Sequence, residues 1–178
     1  MRIISGKYRG KRINPPSGFS ARPTTDFARE ALFNILVNRI DFESAEVLDL
    51  FSGTGSISFE FASRGVKCVN PVEQNMRHFA FIRKVAGELD PDSIKPFHAD
   101  VRSYLKSCKS KYDIIFADPP YDLEWLKEIP EMVIKSGLLK EEGLFILEHP
   151  RNISFSAHPN LSEHRNYGSV NFSFFRLG

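Results

Sequence analysis

Short apolar segments typical of β-strands alternate with helix-like segments through most of this chain. The clearest buried strand is YDIIFA at 112–117, and others are predicted at 47–51 and 144–148. Strands that alternate with helices predict an α/β domain whose mostly parallel sheet is covered on both faces. No helical pattern separates 144–148 from the strand predicted at 170–177, so the final strand is predicted to run antiparallel.

The remaining elements follow from the same periodicities. Further strands are predicted at 67–72 and around Phe97, with helices at 57–62, 75–87, 101–107 and 123–136. A helix is also predicted after the segment RPTTD, with Phe27, Ala31 and Ile35 as its buried stripe because they recur every four residues. Leu32 and Leu36 widen that stripe.

Positive charge is concentrated at the N-terminal end. The chain has a net charge of +2, yet seven cationic residues and one anionic residue give the first 29 residues a net +6. The cationic residues are Arg2, Lys7, Arg9, Lys11, Arg12, Arg22 and Arg29. A basic arm on a mildly acidic body suits a partner with a phosphate backbone, although a solvated basic tail has the same composition.

The basic segment also has a structural pattern. Residues 1–14 predict a short β-hairpin or extended arm, and the prolines and glycine that follow interrupt regular structure. We therefore expect an arm at 1–20 and the main domain at 21–178.

Composition and sequence patterns indicate where in the cell the protein is expected to be. No apolar run approaches the roughly 18 residues of a membrane span, and the N-terminus has no apolar signal core. Cys68 and Cys108 stand in no motif and are expected to be reduced thiols. The five histidines lack metal-ligand spacing. We expect a cytoplasmic protein with no membrane segment and no metal.

A glycine-containing turn follows the strand at 47–51. Gly53 and Gly55 allow a tight turn and close approach of a ligand, and the next helix directs its N-terminus to the same space. Glu73 follows the second strand, where a carboxylate can bind a ribose diol, and Asp100 follows the third, where it can accept an adenine amino group. The pattern predicts an adenosine-containing ligand, whereas a GxG alone would indicate only a tight turn.

The charge beside this turn distinguishes between ligands. Asp49 would repel the pyrophosphate of a dinucleotide but attract the cationic groups of S-adenosylmethionine (SAM). Ser58 also occupies the third glycine position of the dinucleotide fingerprint. Both features favour SAM over a dinucleotide as the ligand. Pro71 lies within the second predicted strand, so we expect that strand to end before Pro71 or to bulge there.

The tetrapeptide Asp118-Pro119-Pro120-Tyr121 directly follows YDIIFA. The Asp118 side chain and the Pro119 carbonyl can accept both hydrogens of an amine on an aromatic ring, which aims its lone pair at a methyl donor. The two prolines stiffen the loop and remove N–H donors, and Tyr121 offers a face on which a base can stack. A proline turn alone would be unremarkable, but the flanking acid and aromatic residue favour amine methylation.

Five segments then carry a family resemblance over nearly the whole chain. They are MRIISGKYRGKRI, RPTTDFAREALFNIL, VLDLFSGTGSISFEFASRG, DPPY and YGSVNFSFFR. The sequence resembles the RsmD family of bacterial 16S rRNA guanine-N2 methyltransferases. DPPY marks only the wider class of amino-methyltransferases, whereas the N-terminal segments are specific.

The resemblance implies a Rossmann-like class I SAM-dependent methyltransferase fold, with a mostly parallel seven-stranded sheet, an antiparallel last strand and a basic N-terminal arm. It implies methylation of guanine N2 at the position numbered 966 in 16S rRNA, in the small ribosomal subunit or an assembly intermediate. The implied catalytic residues are Asp118, Pro119, Pro120 and Tyr121. The implied cofactor-binding residues are Asp49, Phe51, Gly53, Gly55, Glu73, Asp100, Val101, Arg22 and Thr24. The arm residues Arg2, Lys7, Arg9, Lys11 and Arg12 would bind RNA phosphates.

The residues alone leave other functions open. A DNA adenine-N6 or cytosine-N4 methyltransferase uses a similar tetrapeptide but usually needs an added target-recognition region. Methylation of a protein glutamine, a SAM-binding RNA chaperone without catalysis, and a nicotinamide dehydrogenase are the remaining alternatives. The target base follows from the resemblance alone.

Overall fold

The computed structural model describes residues 1–19 and 26–178. Its strands are β1 (Glu46–Leu50), β2 (Cys68–Glu73), β3 (Phe97–His98), β4 (Tyr112–Ala117), β5 (Leu139–His149), β6 (Leu161–Tyr167) and β7 (Val170–Phe175). Its α-helices are α1 (Asp26–Leu36), α2 (Ser56–Ser63), α3 (Met76–Leu89), α4 (Val101–Ser107) and α5 (Ile129–Ser136), and a 3₁₀ turn (Leu126–Glu128) precedes α5.

The seven strands of the described chain form one sheet in the order β3-β2-β1-β4-β5-β7-β6. β1 to β5 pair in parallel, whereas β7 pairs antiparallel with both β5 and β6. This confirms the α/β fold class and the antiparallel last strand. The strand order reverses between β1 and β4, and ligands of open α/β sheets bind at such a switch point.

Two hydrophobic layers cover the two faces of the sheet. One layer contains buried side chains of α1, α2 and α3, and the other contains those of α4 and α5. Strand residues alternate between the layers, as the period of two requires, so that Val47 belongs to the first and Leu48 to the second. Both faces are therefore buried, and the ends of the strands are left to bind ligands.

The strand β6 has no counterpart in the sequence-based prediction. Its sequence, LSEHRNY, is polar, and every one of its residues is partly or fully exposed. It lies at the edge of the sheet and pairs only with β7, with a register shift between Leu161 and Glu163. Because an edge strand need not bury its side chains, hydrophobic periodicity carries no signal for it.

The predicted buried stripe of α1 is wrong in part. Phe27 is 68% exposed, while Ala28, Leu32, Phe33 and Leu36 are fully buried. The helix is rotated by about one residue from the predicted orientation, because the neighbouring series 28, 32, 36 is also apolar and spaced by four. A period of four alone does not choose between adjacent faces of a helix.

The expectation that β2 ends or bulges at Pro71 is wrong. β2 continues through Pro71 in unbroken register with β1. On the side of β3, Val69 donates to the carbonyl of Ser93 at 2.8 Å and accepts from the N–H of Lys95 at 2.9 Å. Alternate residues of a strand face the same neighbour, so Pro71 directs its missing N–H toward β3 as well. β3 has only two residues, so little pairing is lost there.

The N-terminal segment of the chain is held in a defined position. Residues 1–13, hereafter the arm, fold back through an antiparallel bridge between Arg2 and Arg12. Ile3 and Ile13 are buried in the hydrophobic layer that contains α1 to α3. The arm is therefore part of the packed domain.

A buried acid fixes the arm to α2. The Glu60 carboxylate, which is fully buried, accepts from the backbone N–H groups of Ile4 at 2.8 Å and Ser5 at 3.1 Å. It also accepts from Nε of Arg64 at 2.9 Å. Because arm donors and an arginine satisfy the buried charge, this contact fixes the arm in one position.

Within residues 1–19 and 26–178, no helix has the length and apolar character that crossing a membrane requires.

Candidate active site

A cavity of about 560 Å³ opens at the carboxyl ends of the central strands. Most of the residues that the sequence singled out line it, namely Asp49, Phe51, Gly53, Glu73, Val101, Asp118, Pro119, Pro120 and Tyr121. Gly55 and Asp100 are not among the lining residues. Arg22 and Thr24 lie outside the residues that the structure describes. The cavity spans the switch point, so β1 and β2 border one half and β4 and β5 border the other.

The turn after β1 has a backbone conformation that glycine favours. Gly53 has φ of 56° and Gly55 has φ of 79°, both in the left-handed region. A Cβ on Gly55 would lie 2.8 Å from two ring atoms of Phe59. Gly55 is therefore required for packing between the turn and α2, while Gly53 faces the cavity.

Phe51 is the one non-glycine residue of the described chain with positive φ, at 59°. Such a conformation costs about 1–3 kcal/mol and persists only where its surroundings enforce it. The ring of Phe51 packs against Trp125 at 5.8 Å between centroids and lines the cavity. The strained residue thus lies at the cavity wall, where strain is typical of functional sites.

Glu73 connects the two loops that border the half of the cavity beside β1 and β2. Its Oε2 accepts from the N–H of Gly53 at 2.8 Å, and its Oε1 accepts from the N–H of Asn75 at 2.7 Å. The side chain is 7% exposed. The carboxylate therefore holds the glycine turn against the start of α3, and each oxygen retains a second lone pair for a ligand hydroxyl.

Asp49 is the most deeply buried acid in the cavity wall, at 2% exposure. Burial raises the pKa of its carboxyl from 3.8 to about 7, and the nearby Glu73 charge adds to the rise. The Ser58 hydroxyl donates to its Oδ2 at 2.6 Å and opposes that shift. A carboxyl whose ionised form is disfavoured gains stabilisation from a cationic ligand. The site thus fits the positively charged groups of SAM.

Asp100 has a structural partner instead of a place in the cavity wall. It caps the N-terminus of α4 by accepting from the N–H of Ser103 at 3.0 Å and from its hydroxyl at 3.2 Å. The next residue, Val101, is 4% exposed and does line the cavity. Adenine recognition by Asp100 stays a prediction, and the described contacts assign it a capping role.

The loop 118–121 borders the other half of the cavity, as its position after β4 predicts. Its first backbone N–H, on Asp118, donates to the carbonyl of Leu50 at 3.4 Å, which connects it to the end of β1. Pro119 is buried and Tyr121 is half-buried. The hydroxyl of Tyr121 donates to Oε1 of Glu148 at 3.2 Å. The loop is thus attached to the strands on both sides of β4.

Sequence reasoning missed several cavity residues. Glu148, near the end of β5, is 4% exposed and lines the cavity. His78 of α3 and Asn75, which caps that helix, also border the cavity. The signal for Glu148 was available, because it follows the pattern of acids at successive strand ends. His78 and Asn75 carried no distinctive motif, so only the fold identifies them. No group of three His, Cys, Asp or Glu side chains in the described parts of the chain is placed to hold a metal ion.

The predicted RNA-binding residues lie on the surface of the arm. Arg2, Lys7, Arg9, Lys11 and Arg12 are all exposed. Lys7 forms an ion pair with Asp90, and the hydrogen bond to that carboxylate raises the pKa of Lys7. No ion pair within residues 1–19 and 26–178 involves the other four. These four present unneutralised positive charge.

Known proteins match this chain over most of its length. Residues 1–176 match the family described as Conserved hypothetical protein 95. Ribosomal RNA small subunit methyltransferase D of Buchnera aphidicola subsp. Baizongia pistaciae is 32% identical over 154 residues, which cover 86% of this chain and 78% of that protein. The Escherichia coli K12 protein of the same name is 30% identical over 148 residues, covering 83% of this chain and 74% of that one.

Solved structures also match this chain over most of its length. A hypothetical protein of Thermus thermophilus superposes with a TM-score of 0.87 at 27% identity, over 99% of each chain. The fold is that of SAM-dependent methyltransferases. The sequence match over residues 1–176 and the identity to the methyltransferase D proteins establish the family. The chain belongs to the RsmD family of SAM-dependent methyltransferases.

Proposed function

We propose that this protein transfers a methyl group from SAM to the exocyclic N2 of a guanine in the 16S RNA of the small ribosomal subunit or of its assembly intermediate. The observation that carries the proposal is the shared cavity of the Asp49–Gly53 turn and the Asp118–Tyr121 loop. The names of the relatives, which act on ribosomal RNA of the small subunit, support the RNA substrate.

The cofactor half of the cavity suits a cationic adenosine ligand. Asp49 would attract the positive groups of SAM, Glu73 would accept from ribose hydroxyls, and Val101 would pack against adenine. Gly53 would allow close approach of the methionine part. Phe51 would flank the ligand from the turn. When bound, SAM supplies an electrophilic methyl group on its sulfonium.

The residues of the other half would prepare the amine. An amine on an aromatic ring is a poor nucleophile because its lone pair is delocalised. The Asp118 carboxylate and the Pro119 carbonyl would accept its two hydrogens and direct the lone pair toward the methyl group. Pro120 keeps the loop stiff, and Tyr121 would stack on the target base. Catalysis then depends on the positioning of the amine relative to the methyl group. Such positioning can lower the activation barrier by on the order of 7–11 kcal/mol at best.

The arm would bind the RNA backbone. Arg2, Arg9, Lys11 and Arg12 present unneutralised charge on a segment that Glu60 fixes to α2. Because the arm is held against the domain, its phosphate contacts would also fix the orientation of the RNA relative to the cavity.

A methyl-transfer assay with RNA substrates tests the proposal. The protein would be incubated with labelled SAM and with either free 16S rRNA or small-subunit particles that lack the modification, and the labelled nucleotide would be mapped. We expect label on one guanine, at N2. Label on an adenine N6 or a cytosine N4, or no label on either RNA substrate, would contradict the proposal.

A substitution in the loop 118–121 distinguishes a loss of catalysis from a loss of SAM binding. We expect Asp118→Ala to lower kcat/KM by about 100-fold or more, because one of two acceptors that act in the transition state is lost. Its affinity for SAM should stay within a few-fold of wild type. Glu124→Ala, an exposed acid shortly after the same loop, is the matched control and should retain activity.

A further inference from the structure

The half of the cavity beside β4 and β5 contains a buried acid, Glu148, to which the proposed mechanism assigns no role. Glu148 lies beside Asp118, because Ala117 and Leu147 are paired in the β4–β5 register and each acid is the next residue along its strand direction. Both acids line the same cavity, and Glu148 is 4% exposed.

Tyr121 fixes the orientation of this carboxylate. Its hydroxyl donates to Oε1 of Glu148 at 3.2 Å, so the ring expected to stack on the base and the acid expected beside the base are joined. Burying an acid is unfavourable unless donors satisfy it. A carboxylate presents two oxygens with about four lone-pair positions, so it can accept from a ligand while it accepts from Tyr121.

The chemistry of the bases makes such an acceptor selective. Guanine carries an exocyclic amine next to a ring N–H, whereas the ring nitrogen beside the amine of adenine or cytosine has no hydrogen and accepts. An ionised carboxylate accepts only, so it pairs with the guanine edge and repels the lone pair of the other two. Asp118 and Glu148, side by side, match adjacent donors on one base edge.

We propose that Glu148 accepts the N1–H of the target guanine and thereby selects guanine over adenine and cytosine. This inference rests on the proposed function, because it assumes that a guanine N2 is the methyl acceptor. It makes Glu148 a specificity residue that touches the substrate, in addition to the four residues of the loop.

Combining a change of the target base with a substitution of Glu148 tests the inference. 2-Aminopurine keeps the amine at position 2 but has an acceptor at N1. Reconstituted 16S rRNA would carry guanine or 2-aminopurine at the position numbered 966. The kcat/KM for each RNA would be measured with wild type, Glu148→Gln and the control Glu141→Gln, an exposed acid on the same strand β5. Equilibrium affinity for each RNA and for SAM would be measured alongside.

We expect wild type and Glu141→Gln to prefer guanine by about 10- to 100-fold, the range of one hydrogen bond to a charged group. Glu148→Gln should reduce that preference to a few-fold or reverse it, because its amide can donate to N1 of 2-aminopurine. Its SAM affinity should be unchanged. A Glu148→Gln enzyme that keeps the wild-type preference would overturn the inference while leaving the proposed function intact. A wild-type enzyme that leaves the guanine RNA unmethylated would instead overturn the proposed function, and this inference with it.

Discussion

Asp49 allows a quantitative test of how the cofactor half of the cavity is charged. In the folded protein its pKa is raised to about 7, against 3.8 as the ordinary value, mainly because it is buried. A raised pKa means that the folded state holds its proton more tightly than the unfolded state. The contribution of Asp49 to stability is therefore complete below pH 3.8, and it is lost as the pH rises through about 7.

The size of this loss follows from linkage. Stability should fall with a slope that approaches about 1.4 kcal/mol per pH unit between pH 5 and pH 6, is about half as steep at pH 7 and levels off above it. From pH 5 to pH 8 the integrated loss is about 2–3 kcal/mol. Asp49→Asn removes the titration and keeps an acceptor for the Ser58 hydroxyl. Its stability relative to wild type should therefore increase by about 2–3 kcal/mol over that interval.

Urea denaturation at half-unit pH steps from 5 to 8 measures this difference. Asp92→Asn, at an exposed acid in the turn after α3, is the matched control and should run parallel to wild type. SAM binding gives a second readout, since a cationic ligand favours the ionised form. Its affinity should rise toward pH 7 in wild type, by up to about tenfold per unit, and stay flat in Asp49→Asn. Parallel stability curves for wild type and Asp49→Asn would refute the reasoning.

Three further predictions concern the turn, the buried acid of α2 and the arm. Gly55→Ala should lower the free energy of unfolding by about 1–3 kcal/mol, because its Cβ would meet an aromatic ring at 2.8 Å. Gly87→Ala, in open space on α3, should raise it by about 0.5–1 kcal/mol in the same urea titration. Glu60→Gln should cost about 2–3 kcal/mol and lose protection of the arm amides in hydrogen exchange, whereas unchanged protection would contradict the anchoring role. Arg9→Ala should reduce the salt slope of RNA binding by about 1. Lys7→Ala should reduce it by less, because its charge is paired with Asp90. A slope that Arg9→Ala leaves unchanged would count against an RNA role for the arm.

The central parallel strands were predictable because they are largely buried on both faces. YDIIFA at 112–117 is buried except for the half-exposed Asp113, and β4 has the same bounds in the structure. The polar edge strand β6 was not predictable, because pairing with β7 requires no apolar side chains. The rotation of α1 was also hidden, since Phe27 and Ala28 begin two equally spaced apolar series. Choosing between such faces depends on tertiary packing.

The site residues that could be predicted from the sequence are those that lie at or near the carboxyl end of a strand. Asp49, Glu73 and Asp118 lie near the carboxyl ends of strands, and the structure brings them to one cavity. Asp100 has the same sequence pattern, yet its side chain caps α4, because an acid before a helix can serve the backbone equally well. Glu148 follows the same pattern, as the last residue of the strand predicted at 144–148, but no glycine or proline motif of the kind that drew attention to the other strand ends includes it.

We propose that the cavity holds the methyl donor over β1 and β2 and the amine against the loop after β4. A crystal structure of the protein with bound SAM would show both positions. We expect the sulfonium methyl to point toward Asp118 and the Pro119 carbonyl, leaving room for a nitrogen about 3–3.5 Å from the methyl carbon. A methyl group directed away from this loop, or a cofactor bound outside the cavity, would disprove this arrangement.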